Sequence, residues 1–327
     1  MRVLVTGGAG FIGSHTVDAL LRRGDEVVAV DNFNDYYDPA RKRANVAHLA
    51  DHPRFRLVEA DVRDADAMAG LYGQGFDAVI HLAAMANVRY SIGRAPLYYD
   101  VNVRGTINLL ELAVEHQIGN FVFASTSSIY GRTKEVPFVE TAPCNQPLAP
   151  YPATKKACEV LGYTYHNLHE LNFTALRFFS VYGPRGRPDM MPYMVTDRIV
   201  RGETINLYNA GRMQRDWTYI DDVVAGIVAA VDRPLGCEII NLGRGEPVWM
   251  DAFVELVEEL VGSKALLSTP PAPPSEPLVN FADINKAHQL LDYEPTTPVA
   301  EGMWRLWEWY RAEIMVGSMR TLLKSEE

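Results

Sequence analysis

A chain of 327 residues and 36.5 kDa has room for a large buried core and for two lobes rather than one. Its composition, 48% hydrophobic and 22% charged, is that of a globular protein, and no apolar run approaches the roughly 20 residues that a bilayer crossing needs. The formal net charge of -10 and a pI near 5.3 oppose general nucleic-acid binding, yet leave open an anionic small ligand held by a few local arginines.

Short runs rich in β-branched and apolar residues come first: RVLVTG (2–7), EVVAVD (26–31), FRLVEAD (55–61), AVIHLAA (78–84) and NFVFAST (120–126). They alternate with longer helical patterns, among them helices near 96–116 and 151–170. Near-continuous Val, Ile, Leu and Phe suits parallel strands buried on both faces, with the helices as crossovers. FTALRFFSVYG (173–183) reads as a further strand and its exit, VVAGIVAAV (223–231) as an apolar helix, and EIINLG (238–243) as one more strand. The expected fold class is α/β, a Rossmann-type doubly wound parallel sheet. From about residue 184 the spacing turns irregular and rich in Pro, Met and Arg, notably GPRGRPDMMP (183–192) and TPPAPPSEP (269–277), and a smaller C-terminal substrate-binding lobe is placed there. No internal repeat is visible, and residues 316–327 carry no readable signal. The strand pattern starts at Arg2, so a secretory leader is not expected. Cys144, Cys158 and Cys237 are odd in number and far apart, so neither a disulfide framework nor a metal site is expected, and the cytoplasm is the expected location.

Three stretches carry chemistry: TGGAGFIG (6–13), STSSIYG (125–131) and YPATK (151–155). A strand running straight into Gly7-x-x-Gly10-x-x-Gly13 and then a helix lets backbone amides approach a pyrophosphate at the helix's positive end. Asp31 closes the second strand where an acid would bind the adenosine ribose hydroxyls, and it would repel a 2′-phosphate, which favours NAD over NADP. Asp61 and Val62, after the third strand, are candidate adenine contacts, with helix capping as the plainer role for Asp61. Tyr151 and Lys155, four apart, share a helix face. A neighbouring ammonium and a positive nicotinamide ring would favour phenolate, which makes Tyr151 the expected general acid/base. Thr126, at the end of the fifth strand, is expected to hydrogen-bond a substrate hydroxyl or ketone.

GGAGFIG (7–13), HLAA (81–84), STSSIYG, YPATK and RFFSVYGPRGRP (177–188) together resemble, over nearly the whole chain, the extended short-chain dehydrogenase/reductases that act on nucleotide sugars. Within that family, DNFNDYYDPARKRAN (31–45), VRYS (88–91), GRPDMMP (186–192) and RDWTYIDD (215–222) are most similar to UDP-glucuronate 4-epimerases. The resemblance implies a catalytic trio of Thr126, Tyr151 and Lys155, and a NAD site of Gly7, Gly10, Gly13, Asp31 and Asn32 with Tyr151 and Lys155 at its nicotinamide end. It implies that Arg215 contacts the UDP diphosphate, with Arg185 and Arg89 as further anionic contacts. Glu276 stands where relatives often carry an Asp for the uridine ribose, and Met85 replaces the Gln usual after HLAA. The expected division is 1–183 for NAD, completed by segments near 215–243, and 184–327 mainly for the UDP-sugar.

Dehydratases of this family carry Asp-Glu where this chain has Ser127 and Ser128, because eliminating water needs an acid and a base. Decarboxylases show a Glu in the same loop, and Ser180 stands where they and the UDP-galactose 4-epimerases tend to have Asn. Ser127, Ser128 and Ser180 would form a neutral pocket able to donate to a C6 carboxylate. The implied reaction is C4 epimerisation of UDP-glucuronate to UDP-galacturonate through a 4-keto intermediate with suppressed decarboxylation. UDP-glucose/UDP-galactose epimerisation and UDP-glucuronate decarboxylation stay as alternatives, and a non-catalytic NAD-sensing protein is the alternative from another class. Relatives often dimerise, and the helices near 96–116 and 151–170 would form the seam of a homodimer.

Overall fold

The computed structural model describes residues 1–316 apart from Lys134 and Ser275; the tail from 317 onward lies outside the described residues. Seven strands form one parallel sheet in the order Cys237–Leu242, Phe173–Phe178, Asn120–Thr126, Ala78–His81, Arg2–Thr6, Glu26–Asp31, Phe55–Glu59. Both faces are covered, which is why the central strands read as unbroken apolar runs: Val3, Leu4 and Val5 are all fully buried. On one face Leu109, Leu110 and Ala113 pack on Phe121 and Phe173; on the other, Val17 and Leu20 pack with Ile220, Val223 and Ile227. The apolar segment near 223–231 is thus the inner part of a helix, Ile220–Asp232, laid against the first helix, Phe11–Arg23. Strand order reverses between Arg2–Thr6 and Ala78–His81, and their C-terminal ends open the crevice where such sheets bind ligands.

Residues 173–183 do not form one strand. Phe173–Phe178 stays in the main sheet, Phe179 makes the last bond to it (N to Leu242 O, 3.1 Å), and Ser180–Tyr182 pairs with Gln214–Tyr219. Pro247–Trp249 and Val279–Asn280 complete this second small sheet. The strand Gln214–Tyr219 was not foreseen, because its charged residues point inward. Asp216 is fully buried, and its carboxylate accepts from the backbone N–H of Arg244 (2.7 Å), Gly245 (3.0 Å) and Ala282 (3.0 Å). The largest apolar cluster runs without a break from Val3 and Val17 to Trp217, Phe253 and Met303, so the two halves of the chain share one core.

Ala95–Tyr98 runs through a π-helical turn at Tyr99–Arg104 into Gly105–Glu115, and the helix Pro150–His169 packs along it. Among the described residues no helix is long and apolar enough to cross a membrane.

Candidate active site

One cleft of about 620 Å³ sits on the C-terminal edge of the sheet and reaches into the second lobe. Its floor is the glycine turn. Gly7 has φ of 68°, a left-handed conformation, and a Cβ there would meet Ala83 N at 2.8 Å. A Cβ at Gly13 would lie 2.1 Å from Gly7 O, so strand and helix can approach only without one. No side chain caps the helix Phe11–Arg23 at Gly10, which directs its first amides into the cleft. Close backbone, free amides and a positive helix end fit a dinucleotide pyrophosphate.

Asp31 is buried beside this cradle, and its carboxylate accepts from Phe33 N at 2.9 Å. Burial raises its pKa, and Lys42, with Nζ at 4.0 Å, pulls it back. Asn32 donates to Asp61 at 2.8 Å, and Arg63 doubly pairs with the same carboxylate, which hydrogen bonding from Arg63 holds down at about 2. Asp61 therefore works as the hub of a local ion pair while lining the cleft, and Val62 lines it too, packed under Gly105.

At the other end, Tyr151 and Lys155 project from the helix Pro150–His169, and Thr126 ends the fifth strand. The Tyr151 ring packs edge-on against Tyr98 (6.2 Å) and beside Met85. Burial pushes the phenol above its ordinary pKa; a hydrogen bond with Thr126 and the Arg187 guanidinium pull it down. Lys155 lines the same cleft. Its Nζ donates to Ala124 O at 2.8 Å and lies over the Phe123 ring, and burial pushes it down to about 8. Ser127, Ser128 and Ser180 line the cleft beside Tyr151. Thr126 Oγ1 donates to Ser128 Oγ at 3.2 Å, and Asn280 Nδ2 donates to Ser127 Oγ at 3.3 Å.

The arginines divide. Arg215 faces the cleft and pairs with Glu276 at 2.9 Å; burial lowers its pKa and Glu276 counteracts this. Arg89 lies 3.7 Å from the other oxygen of Glu276 and donates to Tyr208 OH at 3.2 Å. Arg185 is not brought to the cleft. Its backbone has φ of 61°, and its guanidinium pairs with Asp18 on the first helix at 2.8 Å, where Pro184 O also meets His15 Nε2 at 3.0 Å. The cleft arginine of that loop is Arg187, locked to Asp189 by two bonds of 2.9 and 2.8 Å. Asn87 (2.7 Å) and Tyr36 OH (2.9 Å) donate to the same Asp189, so three loops meet at one polar knot. Sequence reading missed this knot, Lys42 and Asn280. The spacing of Arg187 and Asp189 was the available signal for the first of them.

A family model, that of the NAD dependent epimerase/dehydratase family, matches residues 3–243, and the chain belongs to this family. It is an NAD-dependent enzyme of the epimerase class, an isomerase. It is 41% identical to a UDP-glucuronate 4-epimerase of Thermodesulfobacterium geofontis (strain OPF15), over 95% of this chain and 96% of that one. A solved UDP-glucuronic acid 4-epimerase from Bacillus cereus, in complex with UDP-glucuronic acid and NAD, is 34% identical with a TM-score of 0.90, covering 95% of this chain and 99% of that one. A UDP-glucose 4-epimerase from Thermotoga maritima, solved with UDP-glucose, is 30% identical with a TM-score of 0.86, covering 95% and 99%. The family resemblance, the α/β Rossmann-type fold and NAD as cofactor, all expected from the motifs, are borne out by these matches.

Proposed function

We propose that the protein interconverts UDP-glucuronate and UDP-galacturonate by inverting C4, with decarboxylation suppressed. The observation that carries this reading is that the neutral hydroxyls of Ser127, Ser128 and Ser180 line one cleft with Tyr151, Ser127 and Ser128 at positions where elimination would need an acid and a base. The relatives named above for UDP-glucuronate support it. Residues 1–183 with 215–243 would hold NAD, and 184–327 would mainly close over the UDP-sugar.

Gly7, Gly10, Gly13, Asp31 and Asn32 would hold NAD, with Tyr151 and Lys155 at its nicotinamide end, and the bound cofactor would supply reversible hydride acceptance at C4. Tyr151 takes the C4 hydroxyl proton as phenolate and gives it back after the ketone has turned, while Thr126 holds the C4 oxygen. A 4-keto uronate is a β-keto acid, which loses carbon dioxide when the C5–C6 bond aligns with the ketone π system. Charge-assisted hydrogen bonds from the three serines hold the carboxylate out of that alignment. Arg215 and Arg89 anchor the diphosphate during the turn, drawing away from Glu276, which is then free for the uridine ribose. Incubation with UDP-glucuronate, followed by NMR of the products, is expected to give UDP-galacturonate with no net change in NAD; UDP-xylose as the main product would overturn the assignment.

Arg215→Leu is expected to weaken UDP binding by about 100-fold, as loss of a desolvated charge partner does. Arg185→Leu, which touches Asp18 instead, is expected to stay within about 3-fold of the parent, since a partly exposed pair contributes little. Calorimetric titration with UDP separates the two arginines, and equal losses would return Arg185 to the site.

A homodimer is part of the same proposal. Tyr99, Val160, Tyr163 and Leu168 are 45, 55, 61 and 65% exposed on the two packed helices, an apolar face that a second copy would cover. Tyr163→Glu is expected to convert a dimer to a monomer in light scattering, and a wild-type monomer would remove the proposal.

A further inference from the structure

Asn280 belongs to no motif singled out in the sequence, yet it stands between two parts of the cleft. It sits on the strand Val279–Asn280, paired in register with Arg215, and is 8% exposed on the cleft wall. Its Nδ2 donates to Ser127 Oγ at 3.3 Å, across from the turn Ser127–Tyr130 that follows Thr126. A serine hydroxyl has one proton and two lone pairs. With a lone pair of Ser127 taken by the amide, and with no acceptor for its proton among the described residues, that proton is free to point at a ligand. The Asn280 carbonyl oxygen is buried and has no hydrogen-bond partner among the described residues. Buried acceptors are seldom left so, and this one calls for an O–H that the protein does not provide.

We propose that Asn280 is a positioning and specificity-determining residue that turns the Ser127 proton toward the ligand and thereby favours sugars bearing a carboxylate. The inference rests on the UDP-glucuronate reading above and deepens it. Ser127 gives a carboxylate a charge-assisted bond, whereas a neutral hydroxymethyl group would receive only an ordinary one. The orphan carbonyl oxygen accepts from a hexose hydroxyl of the same ligand. One amide thus reads both the acid, through Ser127, and the ring, directly.

The test is the affinity of the NAD-loaded enzyme for UDP-glucuronate and for UDP-glucose, in wild type, Asn280→Asp and Asn280→Leu, with melting midpoint and NAD content measured alongside. Asn280→Asp replaces a donor by an anion, so the Ser127 proton turns toward the new carboxylate and away from the ligand's. UDP-glucuronate affinity is expected to fall about 100-fold and UDP-glucose affinity less than about 5-fold. Asn280→Leu removes the donor without adding charge, and losses of about 10-fold and less than about 5-fold are expected. If wild type prefers the uronate but both ligands weaken equally in Asn280→Asp, or neither weakens, the role of Asn280 is overturned while the substrate reading stands. If wild type binds UDP-glucose as tightly as UDP-glucuronate, the substrate reading falls and this inference falls with it.

Discussion

Tyr151→Phe is expected to lower turnover of UDP-glucuronate by about 1,000-fold or more, within the range that a positioned proton acceptor contributes. The substitution removes one oxygen and leaves the ring against Tyr98 and Met85, so the cleft wall persists. NAD content and UDP-sugar affinity should therefore stay close to wild type while kcat collapses. The pH profile follows from the sign of the shift. Burial raises the phenol, and a base must be deprotonated to act, so wild-type activity should climb as pH rises through the phenol's pKa. Bound NAD, through its positive ring, would move that limb to lower pH. Turnover in Tyr151→Phe within about 10-fold of wild type would remove Tyr151 from the role.

Gly13→Ala is expected to cost at least about 100-fold in NAD affinity. The added methyl would meet Gly7 O at 2.1 Å, Gly8 Cα at 2.8 Å and Gly7 C at 2.9 Å, all backbone atoms of the cradle itself. None can rotate aside, so the strand-to-helix turn must open, which moves the amides at Gly10 that face the cleft. Overpacking of this kind also destabilises by about 1–3 kcal/mol. Gly70→Ala is the control: a Cβ there meets nothing within 4 Å in the helix Ala65–Tyr72, and a gain of about 0.5–1 kcal/mol is expected. NAD retained through purification, with thermal melting of both variants, decides the matter, and wild-type NAD content in Gly13→Ala would show that the close approach is dispensable.

The parallel sheet was legible because both of its faces are covered, which leaves strands such as Glu26–Asp31 and Asn120–Thr126 almost without polar interruption. The glycine turn and the Tyr151–Lys155 pair were legible for a related reason, since their chemistry requires fixed local spacing. Gln214–Tyr219 escaped because the partners of Asp216 lie at Arg244, Gly245 and Ala282, so a buried charge looked like a solvated one. Arg185 and Arg187 are two apart in one loop, yet Arg185, with a left-handed backbone, pairs with Asp18. The ion pair of Arg215 with Glu276 spans 61 positions, and no local pattern encodes it. The relation of Lys155 to Tyr151 was read correctly as a shared helix face but not in depth, because helical periodicity says nothing of which carbonyl the ammonium will reach.

The proposed mechanism requires the hexose to turn over, and the apolar cluster that joins Val3 to Met303 bears on where it would find room. Two bodies welded by a common interior are expected to move as one, so room for the proposed flip would come from side chains and surface loops rather than from domain swinging. Severing the chain near residue 184 would bare Val17, Leu20 and their neighbours to water, and neither fragment would inherit a finished interior. Folding and site assembly are for that reason expected to be a single event, read as one melting transition.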